Sequence, residues 1–247
     1  GRPVQIEMFC HGALCMAVSG KCYLSLHENG KSANRGSCLQ LCRRGYRVTD
    51  LETGYELEID NKYIMSPKDL CTIEFLDKMA AAGVSVFKIE GRARPAEYVQ
   101  KVVSAYRAAA DAVEAGTFTQ EFGASFKAQL SEVFNRGFWD GYYQGARLGE
   151  WSSVYGSSAT MKKTYAGKVN NYFSNLGVAE IIVEAAPLKV GQHILIIGPT
   201  TGVVEMDIPE IRVDLIPAQS AAQGVACSIP VPSRVRRADK VYIFEHK

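Results

Sequence analysis

The chain has 247 residues, of which 47% are hydrophobic and 22% charged, and its formal net charge is +2. It is long enough for one large domain or two medium ones, and its weak charge permits nucleic-acid binding without requiring it. No apolar run reaches the roughly 20 residues of a membrane-spanning helix, and the opening GRPVQIEMF lacks the build of a signal peptide. We therefore expect a cytoplasmic protein without membrane contact, whose thiols stay reduced.

The first elements in chain order surround a cysteine-rich stretch. Residues 4–11 alternate and predict a strand with Glu7 and His11 on one face. Residues 12–45 are rich in Gly, Ser, Asn and Cys, and so long an irregular stretch favours organisation by a bound ion or cluster. YRVTD and YELEID then predict a hairpin. Helix punctuation follows, with Ser66 as N-cap and a glycine stop at residue 83, and predicts a helix between them.

The next elements have α/β character. VSVFKIEG predicts a strand, and helical spacing predicts helices over 95–116 and 120–135. Because only two parallel strands are convincing before residue 150, we expect the chain to be the C-terminal portion of a longer protein. Beyond this point the sequence changes to short strand-like runs separated by Gly, Pro and Asn, which predict a small β-barrel. We place the two domains at 1–157 and 158–247.

Four cysteines are candidate metal ligands. Cys15, Cys22, Cys38 and Cys42 have six, fifteen and three residues between neighbours. Four thiolates suit an iron–sulfur cluster or a structural zinc, and the wide first spacing favours a cluster. Reduced packing cysteines are the third interpretation, against which the polar surroundings argue. The other three cysteines lie on predicted strands and a helix and are expected to pack: Cys10, Cys71 and Cys227.

Charged residues recur at the carboxyl ends of the two predicted parallel strands, where α/β folds build their sites. Glu7 and His11 could bind a metal or transfer protons. Lys88, Glu90 and Arg92 lie at the second strand, where Lys88 and Glu90 could equally form a buried ion pair. The stretch AVSGK lacks the first glycine of a G-x-S-x-G elbow, and no H-E-x-x-H motif occurs, so a protease mechanism has no support from these residues.

Basic clusters near tyrosines are candidate RNA contacts. They include Arg43 and Arg44 beside the last cysteine and Lys162 and Lys163 at the start of the second domain. Such residues suit phosphate contacts, with nearby tyrosines available for base stacking. A solvated charged face is the alternative interpretation.

Several blocks resemble peptidase family U-32, the collagenase-like proteases. They are EMFCHGALCMAVSGKCYLS, NRGSCLQLCRRGYRV, SPKDLC, FKIEGR and FNRGFWDGYY, in the family's order. The tail from YAGKVNNY to GPTTG resembles the family's C-terminal β-barrel domain. The resemblance implies a TIM-type barrel, of which only the latter half is expected here, followed by the small barrel.

The resemblance also implies a function. Better-understood members are oxygen-independent hydroxylases that act on the wobble uridine of tRNA with prephenate implicated, on a cytidine of ribosomal RNA, or in anaerobic ubiquinone synthesis. They hold a 4Fe-4S cluster, for which the matching positions are Cys15, Cys22, Cys38 and Cys42. The CRRGY block and the tail look most like the tRNA branch. We expect a fragment of such an enzyme, inactive without the first half of the barrel. Loss of its cluster would leave free thiols, a disulfide or zinc. The alternatives are a peptidase and a zinc-stabilised RNA-binding module.

Overall fold

A computed structural model describes residues 4–15, 17, 21–59, 67–92, 94–146, 149–153 and 156–247. The chain divides into two compact units, one of residues 1–94 and 101–159 and the other of residues 95–100 and 160–247. Among the described helices, none is both long and apolar enough to cross a membrane.

The first unit is a mixed α/β structure. Its helices are α1 (Leu24–Asn29), α2 (Leu76–Ala81), α3 (Ala96–Glu114) and α4 (Gln120–Glu132), and the first residues of α3, up to residue 100, are grouped with the second unit. Its strands are β1 (Glu7–Gly12), β2 (Tyr46–Thr49), β3 (Glu56–Ile59), β4 (Asp69–Cys71), β5 (Val86–Ile89) and β6 (Phe138–Trp139). Four of them form a sheet in the order β5-β1-β4-β6, and β2 and β3 form a separate hairpin.

The pairing within this sheet is mixed. Strand β1 is parallel to β5 and antiparallel to β4, which is in turn parallel to β6. A TIM-type barrel has parallel strands throughout, so a partial TIM barrel is not confirmed. The hairpin, the strand β5 and the two long helices α3 and α4 are confirmed where periodicity and turn residues predicted them.

The helix predicted between residues 66 and 83 is wrong in its first part. Asp69–Cys71 is a strand, and only Leu76–Ala81 is α-helical, after a 3-10 turn at Ile73–Phe75. All three residues of the strand are buried, because it lies between β1 and β6 in the sheet. Those long-range pairings outweigh the local helix punctuation. The predicted N-cap, Ser66, lies outside the described residues.

The second unit is a large antiparallel sheet. Its strands are β7 (Met161–Phe173), β8 (Val178–Val183), β9 (Leu188–Lys189), β10 (His193–Gly198), β11 (Gly202–Asp207), β12 (Ile211–Val213), β13 (Ile216–Ala218), β14 (Ser220–Ala221), β15 (Ala226–Pro230) and β16 (Lys240–His246). Eight strands follow the order β11-β10-β16-β7-β8-β15-β12-β13, and β14 pairs with β9.

One apolar core fills this unit. Its side chains come from strands far apart in this order, including Val204 on β11, Val169 on β7 and Ile211 on β12. Strands so far apart in the sheet can share one core only if the sheet curves around it. Strands β7 and β8 approach closely at Gly167, where a Cβ atom would lie 2.0 Å from the carbonyl oxygen of Ile182. The all-β character predicted for this part of the chain is confirmed.

Candidate metal centre

The cysteine loop, which we define as residues 12–45, contains more structure than its sequence predicts. It forms α1 and two 3-10 turns at Ala33–Arg35 and Leu41–Arg43. The buried hydroxyl of Ser25 accepts a hydrogen bond from the backbone N–H of Leu39 at 3.1 Å. Tyr46 Oη donates to the carbonyl oxygen of Leu41 at 2.7 Å. These bonds join the middle of the loop to its end.

The four candidate ligands are free thiols, and the charges of three of them act on the fourth. Cys15 and Cys38 are exposed, and Cys22 and Cys42 are partly buried. Burial raises the pKa of the Cys42 thiol, the neighbouring Arg43 opposes this rise, and the charges of Cys15, Cys38 and Cys22 raise the pKa further. Each of the other three thiols of the set therefore acts electrostatically on Cys42.

This arrangement is looser than a closed metal site. Among the described residues, no group of three or more His, Cys, Asp or Glu side chains is arranged to hold a metal ion. Electrostatic reach extends farther than a metal–sulfur bond of about 2.3 Å, so the two observations are compatible. The donor chemistry, four cysteine sulfurs on one loop, fits an iron–sulfur cluster or zinc.

A buried cluster of charged side chains lies against this loop, and the sequence analysis missed its centre. Asp69 has a side chain 1% exposed, and its Oδ2 accepts a hydrogen bond from Arg94 Nη2 at 3.2 Å. Its Oδ1 lies 3.5 Å from Arg136 Nη1. Both guanidinium groups stack over the ring of Phe134, at 4.1 and 5.0 Å from its centroid. Arg43 also interacts electrostatically with Asp69.

The available signal for this cluster was that its charged residues lie in or beside the blocks that resemble the family. Asp69 and Arg136 lie in the blocks SPKDLC and FNRGFWDGYY, and Arg94 follows FKIEGR. The helix predicted from Ser66 as N-cap would instead contain Asp69 in its first turn. Only its burial between two strands shows that its charge must be paired.

Of the predicted catalytic residues, Glu7 and Lys88 are brought together. Glu7 Oε1 lies 2.8 Å from Lys88 Nζ in an exposed ion pair across β1 and β5. Glu90 Oε1 accepts a hydrogen bond from the backbone N–H of Arg92 at 2.9 Å. Arg92 is exposed, and its Nη1 lies 3.4 Å from where a Cβ of Gly36 would stand in the cysteine loop.

His11, the remaining predicted catalytic residue, is 2% exposed. Its ring packs at 5.4 Å from that of Tyr106 and 5.6 Å from that of Phe138. Burial, and secondarily the charge of Arg94, lowers the pKa of His11 to about 3. The imidazole is therefore neutral at physiological pH and sits in a buried polar network.

The comparisons with known proteins decide the family. Residues 2–153 match peptidase family U32. The chain belongs to peptidase family U32. A collagenase of Porphyromonas gingivalis is 58% identical over the whole of this chain, which spans 60% of that protein's length.

Relatives with RNA-related names are more distant from this U32 chain. A tRNA hydroxylation protein of Bacillus subtilis is 38% identical over 68% of this chain and 41% of its own length. A 23S rRNA 5-hydroxycytidine synthase of Escherichia coli is 38% identical over 59% of this chain and 23% of its own. The solved C-terminal domain of a Geobacillus thermoleovorans protein assigned to the U32 peptidases aligns with 31% of this chain and 95% of its own at 18% identity. Its TM-score of 0.30 is too low to carry an argument about the fold.

The predicted RNA-binding residues of this U32 chain differ in their surroundings. Arg43 is partly buried, and its Nη2 donates a hydrogen bond to the carbonyl oxygen of Leu14 at 2.9 Å. Arg44, in contrast, is exposed. In the second unit, the amino groups of Lys162 and Lys163 lie 3.1 Å and 2.7 Å from carboxylate oxygens, of Glu245 and Glu97 respectively. Arg44 is thus better placed than Arg43 for a phosphate contact. The three cysteines predicted to pack are buried, as expected: Cys10, Cys71 and Cys227.

Proposed function

We propose that this chain is part of an iron–sulfur-dependent, oxygen-independent RNA hydroxylase, with the wobble uridine of tRNA as its target. The observation that carries the proposal is the placement of Cys15, Cys22, Cys38 and Cys42 on one loop, where the charges of the first three act on the fourth. Relatives named as tRNA and rRNA hydroxylation proteins support RNA as the substrate. The chain spans 60% of the length of the collagenase it matches, so the activity of a whole protein of this family is part of the proposal.

The proposal assigns distinct tasks to the residues of the loop. Cys15, Cys22, Cys38 and Cys42 would hold a 4Fe-4S cluster, which supplies one-electron redox chemistry when bound. We propose prephenate as a co-substrate of the hydroxylation. We place this reaction in the cytoplasm.

RNA contact would come from exposed guanidinium groups near the loop. Arg44 lies two residues after Cys42 and is exposed, and the exposed Arg92 reaches the loop at Gly36. Guanidinium groups pair well with phosphate oxygens. His11 is only 2% exposed, so we assign it no direct contact with the RNA in this proposal.

Anaerobic purification with iron and sulfide assays tests the cluster. We expect about four irons and four sulfides per chain, and a clear loss of both in Cys22→Ser. Cys227→Ala, which removes a buried thiol of the second unit, is the matched control and should keep the iron. An unchanged iron content in Cys22→Ser would refute the ligand set. Mass spectrometry of tRNA nucleosides from a strain lacking the gene then tests the substrate, since a hydroxylated uridine should disappear.

A second candidate function is proteolysis of collagen-like substrates. It is favoured by the 58% identity to a protein named collagenase. Cleavage of collagen by the purified protein, abolished by one point substitution that leaves folding intact, would establish it.

The zinc-stabilised RNA-binding module is the third candidate. It shares the same four thiols, and metal analysis separates it from the cluster proposal. Stoichiometric zinc without sulfide after anaerobic handling would favour the module.

A further inference from the structure

Asp69 forms ion pairs with two arginine side chains and interacts electrostatically with a third. It pairs directly with Arg94 and Arg136, and the charge of Arg43 also acts on it. The side chains of Arg94 and Arg136 are only 7% and 9% exposed. A carboxylate buried among guanidinium groups fixes their orientation, because any rotation away from it leaves charge without a partner in a poorly solvated site.

Two of these arginines hold the cysteine loop. Arg136 Nη2 donates to the side-chain oxygen of Gln40 at 3.1 Å, and the backbone N–H of Gln40 donates to Cys38 Sγ at 3.4 Å. Gln40 has a left-handed backbone with φ of 52°, a conformation that a non-glycine residue keeps only when its surroundings hold it. Arg136 supplies that support from outside the loop.

Arg43 joins the two ends of the same loop. Its Nη2 donates to the carbonyl oxygen of Leu14, the residue before Cys15, at 2.9 Å. Its Nη1 donates to the carbonyl oxygen of Pro67 at 3.4 Å, two residues before Asp69. Arg43 itself follows Cys42. Arg43 therefore holds the residue before Cys15 and is itself the residue after Cys42. Arg136 holds Gln40, whose N–H donates to Cys38.

The charges of cluster and loop are also complementary. A divalent metal with four thiolates, or an oxidised 4Fe-4S cluster with four thiolates, carries a net charge of about −2. The three guanidinium groups and the Asp69 carboxylate together leave two positive charges beside the loop. This arrangement lowers the electrostatic cost of gathering four thiolates in one place.

We propose that Asp69 is a positioning residue of the cysteine site. It acts by pairing with Arg136, which holds Gln40 beside Cys38, and its charge acts on Arg43, which holds the backbone beside Cys15 and Cys42. The inference rests on the proposed function, in that the four thiols must bind a metal. It adds residues outside the ligand set that decide how well the metal is bound. Groups that orient metal ligands typically change metal affinity by about 10- to 100-fold when they are altered.

Anaerobic titration of the metal-free protein with Co²⁺ tests the inference without any activity assay. Sulfur-to-cobalt charge-transfer absorbance reports both the affinity and the thiolate environment. We expect Asp69→Asn to weaken Co²⁺ binding at least tenfold, and Asp69→Glu to recover part of the loss. Asp111→Asn, which removes the partner of Arg107 on the exposed face of α3, is the matched control and should bind as the unaltered protein does.

A second variant keeps the test decisive if Asp69→Asn does not fold. Gln40→Asn suits the left-handed backbone but shortens the side chain that Arg136 holds. We expect it to weaken Co²⁺ binding about tenfold with an unchanged thermal midpoint. Affinity within twofold of the unaltered protein in the folded variants would overturn the positioning role. Absence of Co²⁺ binding in the unaltered protein would instead overturn the proposed metal site.

Discussion

The buried hydroxyl of Tyr106 offers the sharpest test of how the end of β1 is held. Tyr106 Oη donates to the carbonyl oxygen of Cys10 at 2.8 Å and accepts from the backbone N–H of Thr72 at 2.9 Å. It also lies 3.3 Å from His11 Nδ1. The hydroxyl therefore connects α3, β1 and the residue after β4 at the start of the cysteine loop. Tyr106→Phe removes this oxygen and leaves the ring in place.

The expected cost follows from the bonds that the substitution breaks. Each buried hydrogen bond contributes about 1 kcal/mol to the free energy of unfolding. Thr72 retains a second partner, because its N–H and its hydroxyl both donate to the carbonyl oxygen of Cys10 at 3.1 Å. No backbone group at Cys10 or Thr72 is left wholly unpaired, so we expect a loss of about 2 kcal/mol rather than the larger penalty of an orphaned group.

Urea unfolding followed by tryptophan fluorescence measures this loss in the first unit. Both tryptophans of the chain, Trp139 and Trp151, belong to that unit. With a slope of about 2 kcal/mol per molar urea, the midpoint should fall by about 1 M. Tyr55→Phe, at a site 69% exposed on the hairpin, is the control and should shift the free energy by less than about 0.5 kcal/mol. If Tyr106→Phe behaves like this control, the network does not stabilise β1.

Three further predictions concern the second unit and the RNA contact. Burial lowers the pKa of His193, but hydrogen bonds to carboxylates on β11 outweigh it and raise the pKa above 6.5. The ion pairs of protonated His193 therefore stabilise the fold fully below pH 6.5, and this contribution is lost as the pH rises through the folded-state pKa. NMR titration should show a lower His193 pKa in Glu205→Gln. An unchanged titration would contradict the pairing. Gly167→Ala should destabilise the second unit by roughly 1–3 kcal/mol, because the new Cβ would lie 2.0 Å from the carbonyl oxygen of Ile182. Thermal unfolding followed by circular dichroism measures this loss. An unaltered midpoint would show that β7 and β8 can move apart enough to accept the side chain. Arg44→Gln should weaken RNA binding uniformly across sequences, reduce the slope of log affinity against log salt concentration by about one, and leave the metal content unchanged. Filter binding at several salt concentrations measures this slope. An unaltered slope would exclude a phosphate contact.

The sequence alone determined those features of this protein that depend on neighbouring residues. The hairpin of β2 and β3 follows from alternation around turn residues, and α3 and α4 follow from helical spacing with stop and cap residues. The family follows from ordered blocks, and the match over residues 2–153 confirms it. Composition and spacing also predict that the four cysteines of the loop act as one group, which stays a prediction.

Only the tertiary structure decided which charged residues serve the loop and which side chains are buried. Local pattern assigned Asp69 to a helix, whereas pairing with β1 and β6 makes it part of a buried strand. His11 is neutral because distant segments, carrying Tyr106 and Phe138, enclose its ring. Arg43 and Arg44 are adjacent and chemically identical, yet Arg43 binds the loop backbone and Arg44 faces solvent. Burial and ion pairing depend on contacts between residues far apart in the chain, and a periodicity read over a few neighbouring positions contains no information about them.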